Sequence, residues 1–141
     1  SFSYGIPFGF VVTTKEIGAK MPRGVHGSTF GGGPVASVAA IEVIKKIKKD
    51  NLLENASAMG EYFLAELQKL THPAIVKVKG KGLILGIELS EKTTPFVKKM
   101  QDRGLIAALS STDTVRFLPP INVSKDEIDE ALVIIREVFS Q

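Results

Sequence analysis

Two hydroxyls and four glycines crowd into the nine residues His26-Gly27-Ser28-Thr29-Phe30-Gly31-Gly32-Gly33-Pro34. Glycine permits unusual backbone dihedrals and removes the side chain that would keep a ligand at a distance. Ser28 and Thr29 can donate to phosphate oxygens, and so can exposed backbone N–H groups. Pro34 suits the first position of a helix, whose positive dipole end also favours an anion. The segment is not a Walker A loop, because no Lys-Ser or Lys-Thr follows the glycines. Nor is it the dinucleotide fingerprint, since the glycine spacing differs and no regular strand leads into it. From its residues alone it is an anion-binding loop or a surface turn that starts a helix.

A second candidate is Arg116, set within the apolar run Val115-Arg116-Phe117-Leu118 and followed by Pro119-Pro120. Its planar fork suits a carboxylate, while the plain alternative is an arginine on the outer face of a half-exposed strand. Arg23 precedes the glycine loop and is an anion helper or a surface residue. Lys81 belongs to a hairpin turn and is expected in solvent, as is His72 in the turn before Pro73. Other constellations fail. Two histidines without cysteine do not make a metal site. His26 and Ser28 lack an orienting acid. Glu88 and Glu91 lack a partner carboxylate in a cleft; Glu88 is expected at the surface or an interface.

These residues need elements to position them. Phe8 to Thr13 reads as a short buried strand. Thr14 caps a short helix running to Ala19. From Pro34 an i+3 row of Val35, Val38, Ile41, Ile44 and Ile47 makes a helix whose first half is apolar on nearly every face and is expected to be buried. Lys45, Lys46, Lys48 and Lys49 give its end a solvated face that suits the dipole. Asp50-Asn51 breaks the pattern. A second helix, from about Leu52 to Leu70, presents Leu53, Ala56, Gly60, Phe63, Leu67 and Leu70, with Met59 and Phe63 as core. Strands are expected at Ile75 to Lys79 and Leu83 to Leu89, joined by a hairpin at Gly80-Lys81-Gly82. A helix follows from Thr94 to about Arg103, stopped by Gly104, then strands at Leu105 to Leu109 and Val115 to Leu118. Ser124 and Glu127 form a capping box that opens a final helix with Ile128, Ala131, Leu132, Ile135 and Val138 inward.

This order divides near residue 51. Residues 1–51 read as the tail of a larger α/β unit, and 52–141 as a small, mostly antiparallel α+β domain. The 141 residues carry 44% hydrophobic side chains, enough for a core. Net charge is +3 and no basic stripe is interleaved with aromatics, so nucleic acid is not an expected partner. The absence of cysteine removes disulfides and thiol catalysis and suits a reducing cytoplasm. No apolar run reaches membrane-spanning length, so no membrane association is expected. The chain begins at Ser1 and enters at once on Phe2-Ser3-Tyr4-Gly5-Ile6-Pro7, as if mid-element; the expectation is an amputated N-terminus.

Taken together, the motifs resemble the C-terminal part of class III (ornithine-type) aminotransferases, most closely the acetylornithine branch and the related lysine-biosynthesis enzymes. Gly5-Ile6-Pro7 is similar to the turn after that family's cofactor lysine. His26 to Pro34 is similar to its HGSTFGGNP segment, and Leu52 to Ala56 with Gly60 to its interdomain helix. Val78 to Leu83 with Gly86 to Leu89 resembles RGKGLMIGIEL. Val115 to Pro120 resembles LRFLPPL. Gly33 replaces the usual Asn, and Lys79 the usual Arg.

The resemblance implies a fold-type I pyridoxal-phosphate transaminase working as a homodimer or a dimer of dimers. Residues 1–51 would be the end of the large cofactor domain and 52–141 the complete small C-terminal domain. Ser28 and Thr29 would reach across the dimer to the phosphate of the neighbouring subunit's cofactor, Thr29 foremost. Arg116 would grip the substrate α-carboxylate. The amino group would move between the terminal amine of an N-acylated ornithine, or an acylated lysine precursor, and 2-oxoglutarate. The Schiff-base lysine would stand immediately before Ser1, so this chain alone is expected to be inactive. The competing reading is a free-standing, non-catalytic dimerisation or binding domain; against it stands the sticky surface that Phe8 to Ile47 would then expose.

Overall fold

Residues 5–22 and 24–140 are described by the computed structural model. Arg23 and the entering residues Phe2 to Tyr4, both weighed above, lie outside them. The chain divides into two compact units, Ser1–Asp50 and Asn51–Gln141. No helix among the described residues is long and apolar enough to cross a membrane.

In the first unit the Thr14 hydroxyl accepts from the Ile17 N–H and starts helix α1 (Lys15–Ala19). Pro34 then opens helix α2 (Pro34–Lys49), whose last turn holds Lys46, Lys48 and Lys49. Two expectations are corrected here. Phe8 to Thr13 forms no strand, and Val11 is 91% exposed. A strand exists only through hydrogen bonds to a neighbour, and none of the described residues of this unit forms one. The apolar stripe of α2 is likewise open: Val35 is 71% exposed, Val38, Ile41 and Ile44 are also exposed, and of its residues only Ala40 is buried. A stripe is buried only against another element, and among the described residues of this unit there is no strand and no second long helix to cover it.

The second unit begins at Asn51, which takes a left-handed backbone (φ 50) and turns the chain into helix α3 (Leu52–Leu67). Leu52, not Leu53, faces inward, at 8% against 63% exposed; one residue is about 100° of helix rotation. Strands β1 (Ile75–Lys81) and β2 (Ile84–Leu89) form an antiparallel hairpin. Its two-residue turn is Gly82-Leu83, with Gly80 inside β1, a shift from the expected turn. Gly82 supplies the positive φ (53) that such a turn needs. Helix α4 (Thr94–Asp102) follows. The expected strand from Leu105 contracts to β3 (Ala108–Leu109), and the next is β4 (Thr114–Phe117). Helix α5 (Lys125–Phe139) closes the unit, opened by the complete Ser124–Glu127 capping box.

The sheet order is β1-β2-β4-β3, every pairing antiparallel. Side chains alternate between its faces. Leu85, Ile87 and Leu89 of β2 and Val115 and Phe117 of β4 face a core completed by Phe63, Leu67, Met100, Ile128, Leu132, Ile135 and others. Gly86, Glu88, Thr114 and Arg116 therefore fall on the opposite face.

Candidate functional site

Register decides what surrounds Arg116. In the pairing β1-β2-β4-β3, Lys79 lies opposite Gly86, Gly86 opposite Arg116, and Arg116 opposite Ala108. Gly86 thus places a gap between two cations on one sheet face. A Cβ at Gly86 would come within 3.1 Å of Thr114 Cγ2, a tight contact that the Thr114 methyl would have to yield to. The face carries an open hollow of about 430 Å³ lined by Lys79, Lys81, Ser110, Thr114 and Arg116, with Ile84 as its apolar part.

Arg116 is half-buried, and its Nε is buried with no hydrogen-bond partner. A buried donor left unsatisfied costs about 1–3 kcal/mol, more when charged, so a guanidinium in this state is poised to take an acceptor. The acid that could have filled that role is engaged elsewhere: Lys79 Nζ lies 2.7 Å from Glu88 Oε2. Hydrogen bonding to Glu88, and then its charge, hold the Lys79 ammonium above the usual lysine range. The β3–β4 turn is tied down beside it. Leu89 N–H donates to the Asp113 carbonyl at 2.7 Å and Ser110 N–H to the Thr114 carbonyl at 3.0 Å. The Ser111 and Thr114 hydroxyls donate to the Asp113 carboxylate, in that order holding it below the usual aspartate range.

The glycine loop belongs to the other unit. Gly31 N–H donates to the Ser28 carbonyl at 3.1 Å and Gly33 N–H to the Phe30 carbonyl at 3.3 Å, giving two successive turns. Gly32 has φ 71, the conformation the second turn requires. A Cβ at Gly31 would lie 3.2 Å from the Ser28 carbonyl. Ser28 and Thr29 are exposed, and neither hydroxyl has a hydrogen-bond partner among the described residues. Two adjacent free hydroxyls on a tight turn are donors of the kind a phosphate group takes.

His72 differs from its expected place in solvent. It is half-buried, edge-on to Phe96 and Phe139 at 5.6 and 5.5 Å, and its Nδ1 accepts from Ala74 N–H. Lys81 is exposed as expected, at the rim of the Arg116 hollow. The Lys79–Glu88 pair was not foreseen. The alternation of Lys77, Lys79, Gly86 and Glu88 along two strands was its sequence signal, but which residues pair depends on register.

Comparison with known proteins places these features in context. The model of the family described as aminotransferase class-III matches residues 1–139. An ornithine aminotransferase of Staphylococcus carnosus (strain TM300) is 37% identical over 135 residues, covering 96% of this chain and 34% of that protein. The ornithine aminotransferase of Toxoplasma gondii, whose crystals showed partial occupancy of pyridoxal phosphate at the active site, superposes with a TM-score of 0.83. It is 27% identical, and the match covers 89% of this chain and 31% of that one. The acetylornithine aminotransferase of Elizabethkingia anophelis gives a TM-score of 0.80 at 28% identity, covering 85% and 33%. The chain therefore spans about a third of the length of the relatives it matches.

Proposed function

The chain belongs to the class-III aminotransferase family, whose cofactor is pyridoxal phosphate, and from that membership we propose that the protein transfers the terminal amino group of an ornithine-type amine, free or N-acylated, to 2-oxoglutarate. Residues 1–51 then belong to the large cofactor domain and 52–141 to the small C-terminal domain, and the working assembly is a homodimer. Pyridoxal phosphate, when bound, supplies the electron sink that lets an amino group change carbon skeletons.

The residues of this chain then have separate tasks. Thr29, with Ser28 beside it, donates its hydroxyl to the cofactor phosphate of the neighbouring subunit. Arg116 holds the α-carboxylate of 2-oxoglutarate and so orients the adjoining keto carbon that receives the amino group. The observation that carries this reading is the buried, unpartnered Nε of Arg116, a residue that lines an open cationic hollow. A fixed planar donor with no internal acceptor matches a carboxylate in geometry and in charge.

The test uses the protein in its natural form. Cofactor absorbance and amino transfer from ornithine or an N-acylated ornithine to 2-oxoglutarate are the expected results. No cofactor uptake and no transfer from either donor would overturn the assignment.

A further inference from the structure

Among the residues of the four strands Glu88 is the only acid. It lies two residues along β2 from Gly86, which is paired with Lys79 on one side and Arg116 on the other. Glu88 is therefore diagonal to both cations, and diagonal neighbours in an antiparallel sheet stand about 7–8 Å apart, within reach of long side chains. One carboxylate thus has three cations around it, Lys77 directly opposite on β1 and Lys79 and Arg116 on the diagonals. In the structure Lys79 holds it at 2.7 Å, and Arg116 Nε has none.

An arginine–carboxylate pair has the better intrinsic geometry, because the guanidinium can bond both oxygens at once while lysine acts as a point charge. With Lys79 absent, the cations left to Glu88 on this face are Lys77, exposed and directly opposite it, and Arg116, which alone offers the two-pronged geometry. A Glu88–Arg116 pair would close the hollow against any other anion. Gly86 adds to the device: lacking a side chain, it leaves the ground between the two cations open.

We propose that Lys79 is a positioning residue, which keeps the Glu88 carboxylate turned away from Arg116 and so leaves the guanidinium free for an incoming substrate carboxylate. This inference rests on the carboxylate-binding reading of Arg116. It differs from a direct role for Lys79 in binding, in which Glu88 would have no influence once the lysine was gone.

The experiment compares wild type, Lys79→Met, the double variant Lys79→Met/Glu88→Gln and Arg116→Ala in the protein in its natural form. Glutarate binding is read by titration calorimetry, and KM and kcat are read for 2-oxoglutarate. Loss of one charge-assisted contact corresponds to about tenfold weaker binding. Lys79→Met is expected to weaken glutarate and raise KM by about that factor, with kcat moving far less. Adding Glu88→Gln is expected to restore both to within about twofold, because the competing carboxylate is gone. A silent Lys79→Met, or a double variant that stays weak, would overturn the inference. Arg116→Ala separates the two levels: if it too leaves glutarate and KM unchanged, the carboxylate reading itself fails. If Arg116→Ala weakens both while Lys79→Met does nothing, only the role of Lys79 fails.

Discussion

Gly60 of α3 presses directly on the Gly82 turn: a Cβ at Gly60 would stand 2.2 Å from the Gly82 carbonyl oxygen and 2.4 Å from its carbon. The obstacle is backbone, which cannot swing aside as a side chain can. The contact sets the seat of the β1–β2 hairpin on α3, and with it the sheet that carries Arg116. Gly60→Ala is expected to destabilise the protein by about 3 kcal/mol through overpacking. Urea unfolding should show a lower midpoint. An unchanged midpoint would mean that helix and hairpin are not locked together here.

The capping box is a second local device with a readable energy. Ser124 Oγ accepts from Glu127 N–H at 3.2 Å, and the Glu127 carboxylate accepts from Ser124 N–H at 2.7 Å. Ser124→Ala is expected to lower stability by about 1 kcal/mol, measured as a shift in Tm at pH 7.

The same box has a pH signature. The Ser124 N–H, and then its hydroxyl, hold the Glu127 carboxyl below the usual glutamate range. A carboxyl depressed on folding binds fewer protons folded than unfolded, so its contribution is complete where unfolded glutamate is ionised, above about pH 5. It is lost as the pH falls through the lower folded value. Glu127→Gln should therefore narrow the stability difference from wild type as the pH is lowered towards 3. A difference independent of pH would remove the carboxylate from the cap.

For Arg116 the proposed function predicts a split in kinetics. Arg116→Ala should raise KM for 2-oxoglutarate by about ten- to a hundredfold, the worth of a charge-assisted contact, and move KM for the terminal-amine donor far less. Steady-state kinetics with each substrate varied in turn provide the check. A change confined to the amino donor would contradict an α-carboxylate site for the oxo-acid.

Thr29 is predicted to act on the cofactor and not on the substrate. Thr29→Val removes the hydroxyl with little change in shape and should weaken cofactor retention about tenfold. Cofactor absorbance after exhaustive dialysis measures it. Full retention would leave the hydroxyl of Thr29 without the assigned task.

What the sequence by itself determined lies close to the backbone. The start of α2 at Pro34, the Thr14 and Ser124 caps, the break at Asp50-Asn51 and the strands around Leu83 to Leu89 and Val115 to Leu118 all rest on signals within a few residues, and each appears in the structure. The residue types of Arg116, Ser28 and Thr29 were legible as anion chemistry for the same reason: a guanidinium or a hydroxyl carries its capacity wherever it stands. Tertiary structure decided the rest. Leu52 displaced Leu53 in the core because the angle at which α3 meets the sheet chooses between adjacent residues. His72 found Phe96 and Phe139, which are 24 and 67 residues away in sequence. Phe8 to Thr13 did not become a strand, because strand formation needs a partner that no local pattern supplies. The placing of Glu88 between Lys79 and Arg116 depends on the register of three strands, and a slip of one residue would send these side chains to the other face. Propensity and capping are short-range effects; burial and ion pairing depend on which distant surfaces the folded chain brings together.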